Sequence, residues 1–198
     1  MSFQIGKVKC RISFLFCAVL SFLILFDNGL VLPAFVSVCA HESAHLFAML
    51  MLGADVRQVY AGAFGILIER KADALGFREN LLISAAGCAV NALICAAFLA
   101  AHAVWKNEAL QRIAFVNFFL FLMNALPIHG LDGAQVITLL FAHRFGEKFA
   151  ETAGNFISVA CCVFLFAIGV IICFKIRFNP SLCLFSLYLL FESVQRIF

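Results

Sequence analysis

Charge is scarce in this chain. Of its 198 residues only 13% are Asp, Glu, Lys or Arg, while 65% are hydrophobic and 25 are phenylalanine. So little polar surface cannot cover a soluble globule, and the apolar residues come in runs long enough to cross a bilayer. Proline is nearly absent, with three residues at Pro33, Pro127 and Pro180. The nine cysteines include no C-x-x-C pair, and most lie inside apolar runs. That pattern argues against a disulfide framework or a cysteine metal cluster and fits small packing residues. No basic face with interleaved aromatics is visible, and a net charge of +3 suggests no nucleic-acid partner. Lys7, Lys9 and Arg11 precede an apolar stretch as in a signal peptide, but no small-x-small cleavage site comes after it, which favours a retained anchor.

What is present reads as one all-α polytopic membrane domain over residues 1–198, with the lipid bilayer as its surroundings. Six transmembrane helices are expected, at about 12–27, 30–52, 80–103, 111–128, 153–174 and 181–197. An even number places both termini on one side. Ten of the 14 basic residues fall on that side, among them Arg57, Arg70, Lys71, Arg78, Arg144 and Lys148, whereas Lys106, Arg112, Lys175 and Arg177 fall on the other. By the positive-inside rule both termini are cytoplasmic. Between the second and third spans, Val56 to Ile68 breaks the helical pattern around Gly62 and Gly65. A short β-hairpin at the membrane surface is one reading, with an open edge suited to an extended peptide. An amphipathic loop is the other.

The second span carries His41-Glu42-Ser43-Ala44-His45. In a helix the two histidines stand one turn apart on one face, with Glu42 beside them. Imidazoles so spaced can grip one Zn²⁺, and the carboxylate can act as a general base toward water. Three ionisable groups near the centre of a span cost several kcal/mol unless something binds or pairs with them, which favours a metal site over a solvated helix face. A catalytic zinc usually takes three protein ligands. The fourth span ends in Asn124-Ala125-Leu126-Pro127-Ile128-His129-Gly130-Leu131-Asp132-Gly133. Proline and two glycines interrupt the helix there, and Asp132 in the break is the preferred third ligand. His129 is its rival, and a helix-capping Asp is the bland alternative. Gly133 would let another backbone approach closely. In the third span Gly87 permits close helix packing, and Asn91, a lone amide, reads by itself as interhelical glue. The last two spans show no chemistry.

Three separated elements, His41-Glu42-Ser43-Ala44-His45, Gly87 with Asn91, and Asn124 with Leu126-Pro127-Ile128 and Leu131-Asp132-Gly133, together resemble the site-2 protease, or M50, family of intramembrane metalloproteases. The resemblance covers about residues 30–140. It implies one Zn²⁺ on His41, His45 and Asp132, with Glu42 as general base. It also gives Asn91 and Asn124 a part in positioning substrate or polarising its carbonyl, and it implies a membrane-protein substrate. The six-span layout is similar to the sporulation stage IV protease branch, FB type. By analogy that implies a bacterial cell membrane, a sigma-factor precursor as substrate and membrane-embedded inhibitory partners. Two departures stand out. No PDZ or CBS domain is recognised, and Cys88 takes the place where the family commonly has proline. A divalent-metal transporter or sensor would also need His and Asp in its spans, but it would leave Glu42 unexplained. An inactive scaffold of the same family is the third reading.

Overall fold

The computed structural model describes residues 2–5, 8–12, 29–62, 65–70, 75–175 and 181–195. Its elements in chain order are β1 (Ser2–Ile5), β2 (Val8–Ile12), α1 (Val31–Met51), β3 (Val56–Gly62), β4 (Gly65–Arg70), α2 (Phe77–Trp105), α3 (Glu108–Asn124), α4 (Asp132–Phe145), α5 (Glu147–Lys175) and α6 (Ser181–Gln195). The first predicted span, 12–27, lies outside the described residues except for Ile12, which ends β2. Helices α1, α2 and α5 are long and apolar enough to cross a membrane. The chain divides into two compact units, Met1–Phe121 and Leu122–Phe198.

In the first unit the expected hairpin is present and belongs to something larger. β3 and β4 pair antiparallel, with Val59 opposite Ile68. On the other side of β3 lies β2, parallel, with Cys10 opposite Val59. Strand β1 then pairs antiparallel with β2, giving the order β1-β2-β3-β4. The open edge expected at about 56–68 is therefore not on β3, which is flanked on both sides. Among the described residues it is on β4.

Helix α1 stops where the sequence says it should. Gly53 has φ +78°, the Gly53 N–H donates to the Leu50 carbonyl at 3.3 Å, and the Ala54 N–H donates to the Met49 carbonyl at 2.9 Å. This is the Schellman closure, which needs a left-handed residue after the helix and so favours glycine. The helix buries Ser37, His41 and His45 at four-residue spacing, while Leu32, Val36, Phe47 and Met51 are exposed. Polar side chains inside and apolar ones outside are the reverse of a water-soluble helix and match a helix whose solvent is lipid.

In the second unit Ile128, Cys162 and Leu189 form a buried cluster, joined by Leu126, Leu131 and Leu165. The structure corrects one sequence expectation here. The sequence predicts a break around Pro127 to Gly133 and a solvated connection at Arg144, Glu147, Lys148 and Glu151, with no helix between the fourth and fifth spans, yet Asp132–Phe145 is a 14-residue helix. At 1.5 Å per residue it is only ~21 Å long, too short to span. Its polar residues Gln135, His143 and Arg144 dilute the apolar signal that marks its neighbours. Helix α5 likewise begins at Glu147, ahead of the predicted 153.

Candidate metal centre

The site in the first unit is built by α1 and α2. His41 and His45 project from adjacent turns of α1 and are 5% and 7% exposed. Their Nε2 atoms converge to 3.2 Å, and the rings meet edge to face with centroids 4.8 Å apart. Each ring is fixed at its other nitrogen by α2. His45 Nδ1 lies 2.7 Å from the carbonyl oxygen of Ile83, and His41 Nδ1 lies 3.0 Å from Asn91 Nδ2. A carbonyl only accepts, so His45 Nδ1 carries the proton and its Nε2 bears the lone pair, the tautomer a metal ligand needs.

Gly87 sits on α2 between those two anchors. A Cβ there would overlap both rings, reaching within 2.6 Å of His41 Nε2 and 2.5 Å of His41 Cε1. The expectation that Gly87 allows close helix approach is met in a specific way: its missing side chain is the space the imidazole nitrogens use. Glu42 is next to His41 on α1 and is half-buried.

A second buried amide was missed in the sequence. Asn117 on α3 is fully buried, donating from Nδ2 to Ser37 Oγ at 2.8 Å and to its own helix at the Ile113 carbonyl. Its signal was available, because Asn117 is as isolated among apolar residues as Asn91, and Ser37 continues the His41 and His45 spacing by one turn.

In the second unit Asn124 is the last residue of α3 and Asp132 the first of α4, where a carboxylate complements the helix dipole. Between them Pro127 has no N–H to donate. Ile128 N–H donates to the Leu126 carbonyl at 2.8 Å, and Leu131 N–H to the Ile128 carbonyl at 3.0 Å, with Gly130 at φ +93°. Helix α5 supplies the rest. His129 N–H donates to Ser158 Oγ at 2.9 Å, and His129 Nε2 is 2.7 Å from Asn155 Oδ1. Ser158 Oγ in turn shares a 2.9 Å hydrogen bond with Ser193 Oγ on α6. His129, the rival ligand, thus has its ring engaged with α5. The last two helices, which show no chemistry in the sequence, carry the polar groups that satisfy the break. Gly133 also behaves as expected: a Cβ there would collide with the Ala125 and Leu126 carbonyls, the latter at 2.6 Å.

Comparison with known proteins bears on this arrangement. Residues 100–168 match the sequence model of Peptidase family M50. No curated protein matches the chain in sequence. In structure it is similar to the site-2 protease from Methanocaldococcus jannaschii, with a TM-score of 0.70 and 19% identity over 98% of this chain and 94% of that one. The chain thus has a site-2-protease-like fold over nearly its whole length, and its sequence from α2 into α5 is similar to peptidase family M50.

Proposed function

We propose that this protein is a zinc-dependent intramembrane endopeptidase that cuts a membrane-embedded or membrane-associated protein. The observation that carries the reading is the pair of buried imidazoles on α1, converging at Nε2 beside a carboxylate within an apolar helix. The donor set suits zinc: His45 presents its Nε2 lone pair, and Gly87 leaves the space beside both rings open. His41, His45 and Asp132 would hold the ion, in agreement with the family's motif. A bound zinc ion supplies Lewis-acid polarisation of a peptide carbonyl and lowers the pKa of water to about 7.

The chain's own groups do the remaining work. Glu42 accepts a proton from the attacking water and returns it to the leaving amine, a role open to a half-buried carboxylate adjacent to a metal ligand. Asn124 is the amide we assign to the substrate carbonyl, where a donor strengthens its bond as negative charge develops. A helical substrate hides its carbonyls in its own hydrogen bonds, so it must unwind to be cut. The outer edge of β4 (Gly65–Arg70) offers backbone groups for an extended strand. The branch resemblance points to a membrane-associated transcription-factor precursor as the substrate class, and the basic-residue bias points to cytoplasmic termini.

The test compares membrane-protein fragments and new N-termini in cells of the native organism carrying wild-type protein or Glu42→Gln. Specific precursors should accumulate intact in the mutant while their fragments vanish. Identical fragment profiles, with both proteins expressed and loaded with zinc, would favour metal transport or scaffolding instead.

A further inference from the structure

Helix α6 carries a single charge. Glu192 is the only Asp, Glu, Lys or Arg in Ser181–Gln195, and it is half-buried in a helix whose exposed side chains include Leu184, Leu187 and Phe191, as suits lipid. An ionisable group in such a helix is costly unless something engages it. The Glu192 carboxylate lies against the break between α3 and α4. A Cβ built on Gly130 would meet Glu192 Oε1 at 3.1 Å, Oε2 at 3.2 Å and Cδ at 3.4 Å, and Gly130 is held at φ +93°, a conformation that side chains rarely adopt. Glycine is therefore called for on two counts. The next residue of α6, Ser193, is fully buried and reaches the break through Ser158, which accepts the His129 N–H. Two consecutive residues of α6 thus attend two consecutive residues of the break.

The break leads directly into α4, whose first residue is Asp132. The first four N–H groups of a helix have no partner within it and form the positive end of its dipole. Leu131, at the N-cap, gives them no side-chain hydrogen bond. An acidic side chain in the first turn normally serves that end, which is the bland role open to Asp132 from the sequence. Glu192 brings a second carboxylate to Gly130, two residues ahead of Asp132 on the backbone that enters the helix. We propose that Glu192 is a positioning residue for Asp132: its charge complements the start of α4 and fixes the backbone at Gly130, which leaves the Asp132 carboxylate to a divalent cation. This role rests on the zinc reading above. Glu192 acts through the break and is not itself a ligand.

The experiment uses full-length protein in detergent micelles, with Zn²⁺ and Co²⁺ as the probes. Zinc affinity is read by competition with a chelator, and the visible spectrum of bound Co²⁺ reports its set of ligands. Zinc affinity should fall about 10- to 100-fold in Glu192→Leu, the range expected when a ligand's orienting partner is lost, and the Co²⁺ spectrum should shift toward that of Asp132→Ala. Glu192→Gln keeps the shape without the charge and should fall between Glu192→Leu and wild type. The deciding comparison is the double variant. If Glu192 acts through Asp132, Glu192→Leu should cause no further loss once Asp132 is replaced by alanine. The proposal is overturned if Glu192→Leu or Glu192→Gln binds zinc with wild-type affinity, or if the loss in Glu192→Leu is undiminished in the Asp132→Ala background, as a general disturbance of the fold would make it. Should Glu192→Leu not fold, Glu192→Gln completes the same cycle. Wild-type protein that binds no zinc overturns the zinc reading, and the proposal with it. Wild-type binding with no effect at Glu192 overturns the positioning role alone.

Discussion

Gly87 lacks a side chain where one would collide with two imidazoles, which makes it an exacting position in the first unit. Gly87→Ala places a methyl between the rings, with heavy atoms 2.5–2.6 Å away that belong to stiff, anchored groups. Alanine is a good helix former, so α2 should persist while the ligands are displaced. We predict at least a 10-fold loss of zinc affinity with unchanged helical circular dichroism, measured by competition with a chromophoric chelator; wild-type affinity would show that the rings can give way. Glu42→Gln should behave oppositely. It keeps both imidazoles and the shape of the side chain but removes the proton acceptor, so turnover should fall by about 10²- to 10⁴-fold at full zinc occupancy. Single-turnover assays with metal analysis separate the two effects. Much of this was legible in the sequence, because four-residue spacing fixes which side chains share a helix face whatever the tertiary fold. Ile83 as the acceptor for His45 was not legible, since a backbone carbonyl carries no sequence mark.

At the scale of elements, the break between α3 and α4 shows how irregular backbone survives among apolar helices. Its polar groups are covered from outside, by Ser158 on α5, by Ser193 on α6 through Ser158, and by Asn155 at the His129 ring. Ser158→Ala removes the acceptor for the His129 N–H. We expect a loss of about 1–3 kcal/mol in reversible unfolding in mixed micelles, the cost of one orphaned buried group. Ser193→Ala removes only the hydroxyl partner of Ser158 and should cost less; equal effects would contradict the order of the network. Pro127 with Gly130 announced the break in the sequence, but the helix beyond it was harder to see. Helix α4 is short, starts on Asp-Gly and ends in His143 and Arg144, so neither length nor hydropathy distinguishes it from a polar connection. The sheet was half legible: Gly62 and Gly65 bracket a local hairpin, whereas the pairing of β2 with β3 joins segments some fifty residues apart and leaves no local trace.

At the scale of the molecule, polarity is inverted. Serine, asparagine and histidine are buried on α1, α2 and α3, while phenylalanines such as Phe47, Phe156 and Phe174 are exposed at 65%, 76% and 80%. Lipid is the solvent that rewards this distribution. The uneven placement of Lys and Arg adds a direction to it. A cysteine introduced at Asn107, in the exposed turn between α2 and α3, should react with a membrane-impermeant maleimide in intact cells, while one at Gly146, between α4 and α5, should react only after permeabilisation. The reverse pattern would place the termini outside.

The measurement that bears most directly on the central claim is cleavage in liposomes containing only the purified protein and the precursor that accumulates in Glu42→Gln cells. Wild-type protein should cut it, lose that activity to a zinc chelator and regain it with added Zn²⁺, while Glu42→Gln binds zinc and leaves the precursor intact. Cleavage that survives chelation, or that proceeds at the wild-type rate in Glu42→Gln, would contradict zinc-dependent proteolysis by this chain.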